Sequence, residues 1–360
     1  MSTNVQSPAS MRALVFRGPG EVAVSDLPVP PLADDEVLVR VAYCGVCGTD
    51  LHIVYGEGGW GIPGSVYGHE WSGEVVGIGP QVSKWHVGEK VVGGDRTCGV
   101  CEYCTTGRRS LCQHIVLPSG PTYGGFAEYV KSHEDELYRV GEDLDLRAAA
   151  LAEPLAVALH GVTRSGVVSS PGSGRAKRAL VTGAGPIGLL TLAALWAKGI
   201  ADVVVSEPSS VRRDRVTQLG GVAVDPSELA GPAHYLATVP DPFDVVLECS
   251  GNEAATRQGL GQLRPGGRLV IVGVSFEPCE VDPMRVLVQE LEIVGSRQYD
   301  SNGLDDALDL LRHGGVAAAD ILDEKDTDFA DFLPLLSAMR AGEVGGKPLV
   351  VSSAGTGGPK

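Results

Sequence analysis

Several things are scarce in this 360-residue chain. Positive charge is one: 29 Lys and Arg stand against 45 Asp and Glu, a net charge of −16 at pH 7. Such a surface repels phosphate backbones and anionic lipid, so a nucleic-acid partner and a membrane partner are both excluded. Long apolar runs are also missing. The longest, around 186–197, falls well short of the roughly 20 residues that a membrane span needs. The opening M-S-T-N-V-Q-S-P-A-S has neither the basic stretch nor the apolar core of a secretory signal, and 1–10 is expected to be a disordered tail ahead of a first strand at 11–16. Aromatics are 5% of residues, and cysteine is thin outside one short stretch. Of eight cysteines, four fall between 98 and 112, while Cys44, Cys47, Cys249 and Cys279 are scattered. That distribution excludes a disulfide scaffold and fits a reducing, cytoplasmic setting, with Cys249 and Cys279 as structural thiols.

What the chain does have is glycine, 49 residues of it, with 43% hydrophobic residues overall. This is the composition of a turn-dense α/β protein, and the length suits two domains. Residues 11–95 read as short strands, Val37–Val41 and Val75–Ile78 among them, broken by Gly and Pro. A helix is expected over Ala148–Gly161, followed by a Gly/Ser/Pro-rich connector at 165–175. From Lys177 strands alternate with helices: R-A-L-V-T, Ile187–Lys198, D-V-V-V-S, Val211–Leu219, F-D-V-V-L-E, Ala254–Leu263 and R-L-V-I-V-G. That alternation predicts a doubly wound parallel sheet. A helix over Asp305–Arg312 and a strand at 347–351 complete the reading.

Cys98, Cys101, Cys104 and Cys112 are spaced C-x2-C-x2-C-x7-C, which suits one tetrahedral Zn²⁺ in a closed structural site. The lobe they define, 96–113, is too poor in apolar residues to fold without metal. A second constellation lies upstream, C-G-T-D at 47–50 and G-H-E at 68–70. A catalytic zinc keeps three protein ligands and one open position, and Cys47 and His69 supply two of the three. The third comes from Glu70 or from Glu153, a lone acid in the otherwise apolar stretch Ala148–Ala158. The sequence leaves both open.

The run G-A-G-P-I-G at 183–188 follows a predicted strand and opens a predicted helix. Gly183 permits the tight turn, Gly185 the approach of a pyrophosphate, and Gly188 close packing of helix on strand, with Pro186 and Ile187 at the helix start. Glu207 ends the next strand, where a carboxylate accepts ribose hydroxyls and repels a 2′-phosphate. NAD is therefore expected and NADP is less favoured, although Arg212 and Arg213 stand close enough to hold a phosphate. Val272, Gly273, Val274, Ser296 and Arg297 complete the expected cofactor contacts.

With C-G-V-C-G-T-D-L-H (44–52), G-H-E-W-S-G-E-V-V-G-I-G (68–79), V-G-E-K-V (87–91), G-G-F-A-E-Y-V (124–130), the cysteine lobe and G-A-G-P-I-G, the chain resembles the zinc-containing medium-chain dehydrogenase/reductase family. Glu153-Pro154 resembles its polyol and threonine dehydrogenase branch. The resemblance implies a Rossmann NAD-binding domain over 163–297 and a mostly β, GroES-like catalytic domain over 11–162 and 298–360. It implies one catalytic and one structural zinc, a small alcohol as substrate, and a homodimer or homotetramer, with 268–273 as a candidate dimerising sheet edge. Thr49 would take the alcohol proton and His52 would pass it to solvent through the cofactor ribose. As plain structure, Thr49 would instead cap a helix and His52 would be a solvated imidazole. Sorbitol dehydrogenases of this kind carry tyrosine where Ile53 stands and an Arg-Tyr pair where Gln298 separates Arg297 from Tyr299. Both differences are expected in the substrate pocket, so sorbitol itself is in question. Trp60 either walls that pocket or packs on the surface. The rival readings are an NADP-linked alcohol dehydrogenase, a zinc-free quinone or enone reductase, and a non-catalytic NAD-binding sensor.

Overall fold

The structure, a computed structural model, describes residues 8–115, 124–167 and 177–352. Most of the connector expected at 165–175 lies outside these residues, as does most of the N-terminal tail.

The chain divides into two units. The first holds the described residues up to Glu153, together with Leu322–Ala341 and the residues from Lys347 onward. Its main sheet is built on the strand Glu36–Gly45, which pairs antiparallel with Glu70–Ile78, Tyr129–His133 and Leu349–Val351. Val37, Leu38 and Val39 are all almost fully buried. A strand covered on both faces carries a continuous apolar run instead of an alternating one. A hairpin of Ser10–Gly18 and Glu21–Pro28 lies outside this sheet, and its Met11 and Phe16 join the same core as Trp71, Phe126 and Phe332. The expected single helix over Ala148–Gly161 is instead two, Leu146–Ala149 and Ala152–Ser165. Ile53, expected in a substrate pocket, lies 2% exposed in this apolar core. Its helix, Gly48–Val54, turns that position toward the core.

The second unit spans Pro154–Ile321 with Gly342–Gly346. Its six strands are all parallel, in the order Val222–Val224, Asp202–Ser206, Arg178–Thr182, Phe243–Glu248, Leu263–Ile271, Glu292–Gly295. This order reverses between the third and fourth strands, the doubly wound pattern with its switch point beside the first strand. The helix Pro186–Ala197 is apolar nearly all round because it is buried from Gly188 to Leu195. No helix among the described residues is long and apolar enough to cross a membrane.

The compact units divide at Glu153, within the helix Ala152–Ser165, where a boundary at 162 is expected, and 298–321 group with the second unit. The strand at 268–273 is no edge: it is flanked on both sides, and the outermost strand on that side is Glu292–Gly295. That strand is exposed at three of its four residues and polar at its start, so it carries no clear period.

Candidate active site

Cys47 is the N-cap of the helix Gly48–Val54, and the Asp50 carboxylate closes that cap by accepting the Cys47 N–H at 2.8 Å. The cap position therefore belongs to Cys47, and Thr49 sits one turn-position in, its Oγ1 3.6 Å from the Cys47 sulfur. The strand Glu70–Ile78 begins directly after His69. Its pairing with Glu36–Gly45 brings Glu70 opposite Gly45, two residues before Cys47. As a result the Cys47 thiol, a His69 ring nitrogen and a Glu70 carboxylate oxygen lie within 4.8 Å of one another. Glu153 falls outside that cluster, in the first turn of Ala152–Ser165, but its charge acts on His69.

A thiol, an imidazole and a carboxylate in one spot form a donor set that suits Zn²⁺. The buried charges around this point favour a cation. Burial alone would depress the His69 imidazole, yet Cys47, Asp50 and Glu153 carry it well above the usual histidine value. Burial pushes Glu153 up to about 8 against the pull of His69, and pushes Asp50 up to about 6. Surplus anionic groups taken out of water raise one another's proton affinity until a cation replaces the protons. Lys347 supplies part of that cation: its ammonium pairs with Glu70, and both side chains are at most 1% exposed.

The four lobe cysteines converge as well, their sulfurs within 4.8 Å of one another, and none is in a disulfide. Sulfur separations of 3.6 Å for Cys98–Cys112 and 4.0 Å for Cys98–Cys104 match the roughly 3.8 Å edge of a tetrahedron with Zn–S bonds of about 2.3 Å. The amides of Cys98 and His114 both donate to the Cys112 sulfur at 3.4 Å, and Cys101 N–H donates to that of Cys98. Hydrogen bonds of this kind favour the thiolate and pull the Cys112 thiol down.

In the second unit, the turn at 183–188 has the shape its glycines allow. Gly183 adopts φ +92°, and a side chain at Gly188 would collide with the Gly183 carbonyl. A Cβ at Gly185 would meet nothing within 4 Å, which leaves open space over the amides at the start of Pro186–Ala197. Gly183, Glu207 and Arg212 line one cavity of about 1180 Å³, with Ser227, Asn252 and Gln258. The Glu207 carboxylate is pinned by the Ala184 N–H at 2.7 Å and the Ser209 N–H at 2.9 Å. Arg213 is committed elsewhere, to the Glu207 and Pro208 carbonyls and to Asp225. Pro186, Ile187, Val272, Gly273, Val274, Ser296 and Arg297 are not part of the lining. Ser296 Oγ and Gln298 Oε1 are buried without a hydrogen-bond partner among the described residues. Buried orphans of this sort call for a ligand or water.

Residues 33–142 match the family model described as alcohol dehydrogenase GroES-like domain, and 186–314 match that described as zinc-binding dehydrogenase. The chain is 32% identical over 318 residues to sorbitol dehydrogenase of Bacillus subtilis (strain 168), covering 86% of this chain and 88% of that protein. It is 36% identical over 296 residues to L-threonine 3-dehydrogenase of Anaeromyxobacter dehalogenans (strain 2CP-C), covering 79% and 83%. The chain belongs to the zinc-containing medium-chain dehydrogenases. Among solved structures, 2R,3R-butanediol dehydrogenase from Bacillus subtilis superposes with a TM-score of 0.83 at 28% identity, over 96% of this chain and all of that one. A structure from Sinorhizobium meliloti 1021 bound to NADP superposes at 0.84 with 30% identity, over 96% and 100%. As a member of this family the dehydrogenase is a zinc-dependent oxidoreductase acting on CH–OH groups.

Two further residues beside this cluster carry no sequence signal that singles them out. Asp50 stands inside the C-G-T-D motif, yet its burial beside His69 could not be read there. Lys347 lies 277 positions beyond Glu70, and no local pattern links them. Trp60 is 45% exposed, and Cys249 is a half-buried thiol whose desolvation raises it to about 12.

Proposed function

We propose that this dehydrogenase moves hydride between NAD and a secondary alcohol of the polyol, cyclitol, aminocyclitol, diol or threonine type. The observation that carries the reading is the convergence of Cys47, His69 and Glu70 on one point. Cys47 and His69 would hold the catalytic zinc, with Glu70 or Glu153 as third ligand. When bound, zinc supplies the Lewis acidity that makes the hydroxyl acidic, and the nicotinamide supplies the hydride acceptor. Thr49 receives the hydroxyl proton and His52 passes it toward solvent. Glu70, paired with Lys347 in the fold, would exchange between that ammonium and the metal as substrate enters and leaves. Glu207, which lines the nucleotide cavity, would accept the ribose hydroxyls and disfavour a 2′-phosphate, while outside that lining the helix start at Pro186 and Ile187 would face the pyrophosphate and Ser296 with Val272, Gly273, Val274 and Arg297 would contact the remainder of the cofactor.

Initial rates of NADH formation by zinc-loaded enzyme across polyols, cyclitols, butanediol and threonine test this reading. A strong rate on one class supports it. No rate on any of them, with two zinc ions per chain, would favour the non-catalytic sensor. Arg212 is the observation that keeps NADP as the second reading, because it lines the cavity while Arg213 is committed elsewhere. We also propose that the enzyme is a homo-oligomer joined along the outer strand Glu292–Gly295. Ile293 there and Met284 and Leu287 on the helix Pro283–Gln289 are exposed, Leu287 by 69%. Leu287→Asp is expected to shift the mass in solution toward monomer. The reduced thiols suit a cytoplasmic location.

A further inference from the structure

The proton path of the preceding section ends at His52, but the fold places a carboxylate behind it. His52 Nδ1 lies 2.6 Å from Glu57 Oε2. A carboxylate offers acceptors only, so the hydrogen in this contact belongs to Nδ1. That leaves Nε2 as the nitrogen that carries no hydrogen in the neutral ring. Glu57 is itself held from its other side. Arg340 Nη2 stands 3.4 Å from Glu57 Oε1, and the same guanidinium lies 4.4 Å over the Tyr55 ring. Tyr55 Oη is in turn 3.4 Å from Ser337 Oγ, on the helix Phe332–Ala341 that carries Arg340.

The backbone that brings Glu57 there is specific. Gly56, Gly58 and Gly59 adopt φ of 77°, 66° and 67°, values that side-chain-bearing residues reach only with strain. This G-E-G-G turn folds the chain back over the end of the helix Gly48–Val54, so that Glu57 meets a histidine only five positions earlier. At Gly56 a Cβ would also press on the Pro19 ring at 3.0 Å.

We propose that Glu57 is a positioning residue for His52. It fixes the ring orientation and the tautomer, so that Nε2 is always the nitrogen presented to the incoming proton, and its charge offsets the imidazolium that forms. This rests on the reading of His52 as the relay. The step balances simply. One proton arrives at Nε2, Nδ1 keeps its own hydrogen on Glu57 throughout, and the Nε2 proton then leaves to water. His52 is 24% exposed and Glu57 39%, so water reaches the pair. Arg340 keeps the carboxylate from swinging away into that water.

The test uses zinc-loaded enzyme, its preferred nicotinamide cofactor and its fastest alcohol. Single-turnover hydride transfer in Glu57→Gln is expected to fall roughly tenfold, a fraction of what a general acid–base group supplies, with KM values for alcohol and cofactor little changed. In a His52→Ala background the same substitution should cost nothing further, because a residue acting through another has no effect once that other is gone. Nitrogen-15 NMR of the histidine rings should show His52 carrying hydrogen on Nδ1 in the parent and a tautomer mixture in Glu57→Gln. Arg340→Met leaves the carboxylate in place and should give a smaller loss, likewise silent without His52. Equal losses with and without His52, or an unchanged tautomer, would overturn the proposal while leaving the relay intact. A His52→Ala enzyme at full rate would remove the relay reading and this inference with it.

Discussion

Lys347 and Glu70 form an ion pair with both side chains shut away from water, and the same ammonium donates to the Val46 carbonyl at 2.9 Å. Burial alone would drive Lys347 toward its neutral form, but Glu70, Cys47 and Glu153 hold it charged and raise its pKa. The pair ties the chain just before the strand Leu349–Val351 to the segments that carry Val46 and Glu70.

Removing one partner of such a pair strands the other. Lys347→Met is expected to destabilise the zinc-loaded enzyme by about 3–5 kcal/mol. Denaturant unfolding of parent and variant measures it. A change below about 1 kcal/mol would mean that zinc, not Lys347, balances Glu70.

The two zinc sites separate by mutation. Cys98→Ser is expected to lower zinc content from two ions per chain to one and to reduce thermal stability, since the lobe has little apolar content of its own. Cys47→Ala should also remove one ion, but with the fold retained and turnover lost. Elemental analysis beside circular dichroism tells the two apart, and a variant of either kind that keeps both ions would contradict the ligand assignment.

The metal-free protein should respond to pH in a defined direction. Glu153 is raised to about 8 in the fold from an ordinary 4.5. The folded state therefore binds a proton that the unfolded chain has released, so stability from this group is complete below about pH 4.5 and is lost as pH climbs through about 8. His69, also raised, acts with the same sign. Chelator-treated protein should unfold at lower denaturant at pH 8.5 than at pH 6, and Glu153→Gln should flatten the dependence. Zinc-loaded protein should lack it, because the metal takes the place of those protons.

The role proposed for Glu207 in cofactor preference can be tested directly. Glu207→Ser is expected to lower kcat/KM for NAD by roughly tenfold or more while sparing or improving NADP, because it removes both the ribose acceptor and the charge that repels a 2′-phosphate. Comparative kinetics with the two cofactors decide it. An unchanged ratio would place selectivity with Arg212, whose Nε is held by the Val344 carbonyl at 3.2 Å.

What could be read from the sequence was local. Cys98–Cys112 and Gly183–Gly188 are each compact enough that spacing alone states the geometry: four sulfurs around one point, and a turn with open space over its amides. The strands and helices after Lys177 were legible because burial on one or both faces writes a period into the residues. Where burial is uneven, the reading slipped. The mostly exposed strand Glu292–Gly295 left no period, so the sheet edge was placed one strand too far in.

The sequence by itself determined the family, the fold class, the cysteine lobe and the nucleotide turn, because each depends on residues that are near neighbours in the chain. Tertiary structure alone decided that Ile53 is core, that Glu70 faces a lysine 277 positions away, and that Arg340 backs a carboxylate behind His52. Those pairings are made by strand register and by a chain that leaves one unit and returns to it, and neither leaves a periodic mark in the sequence.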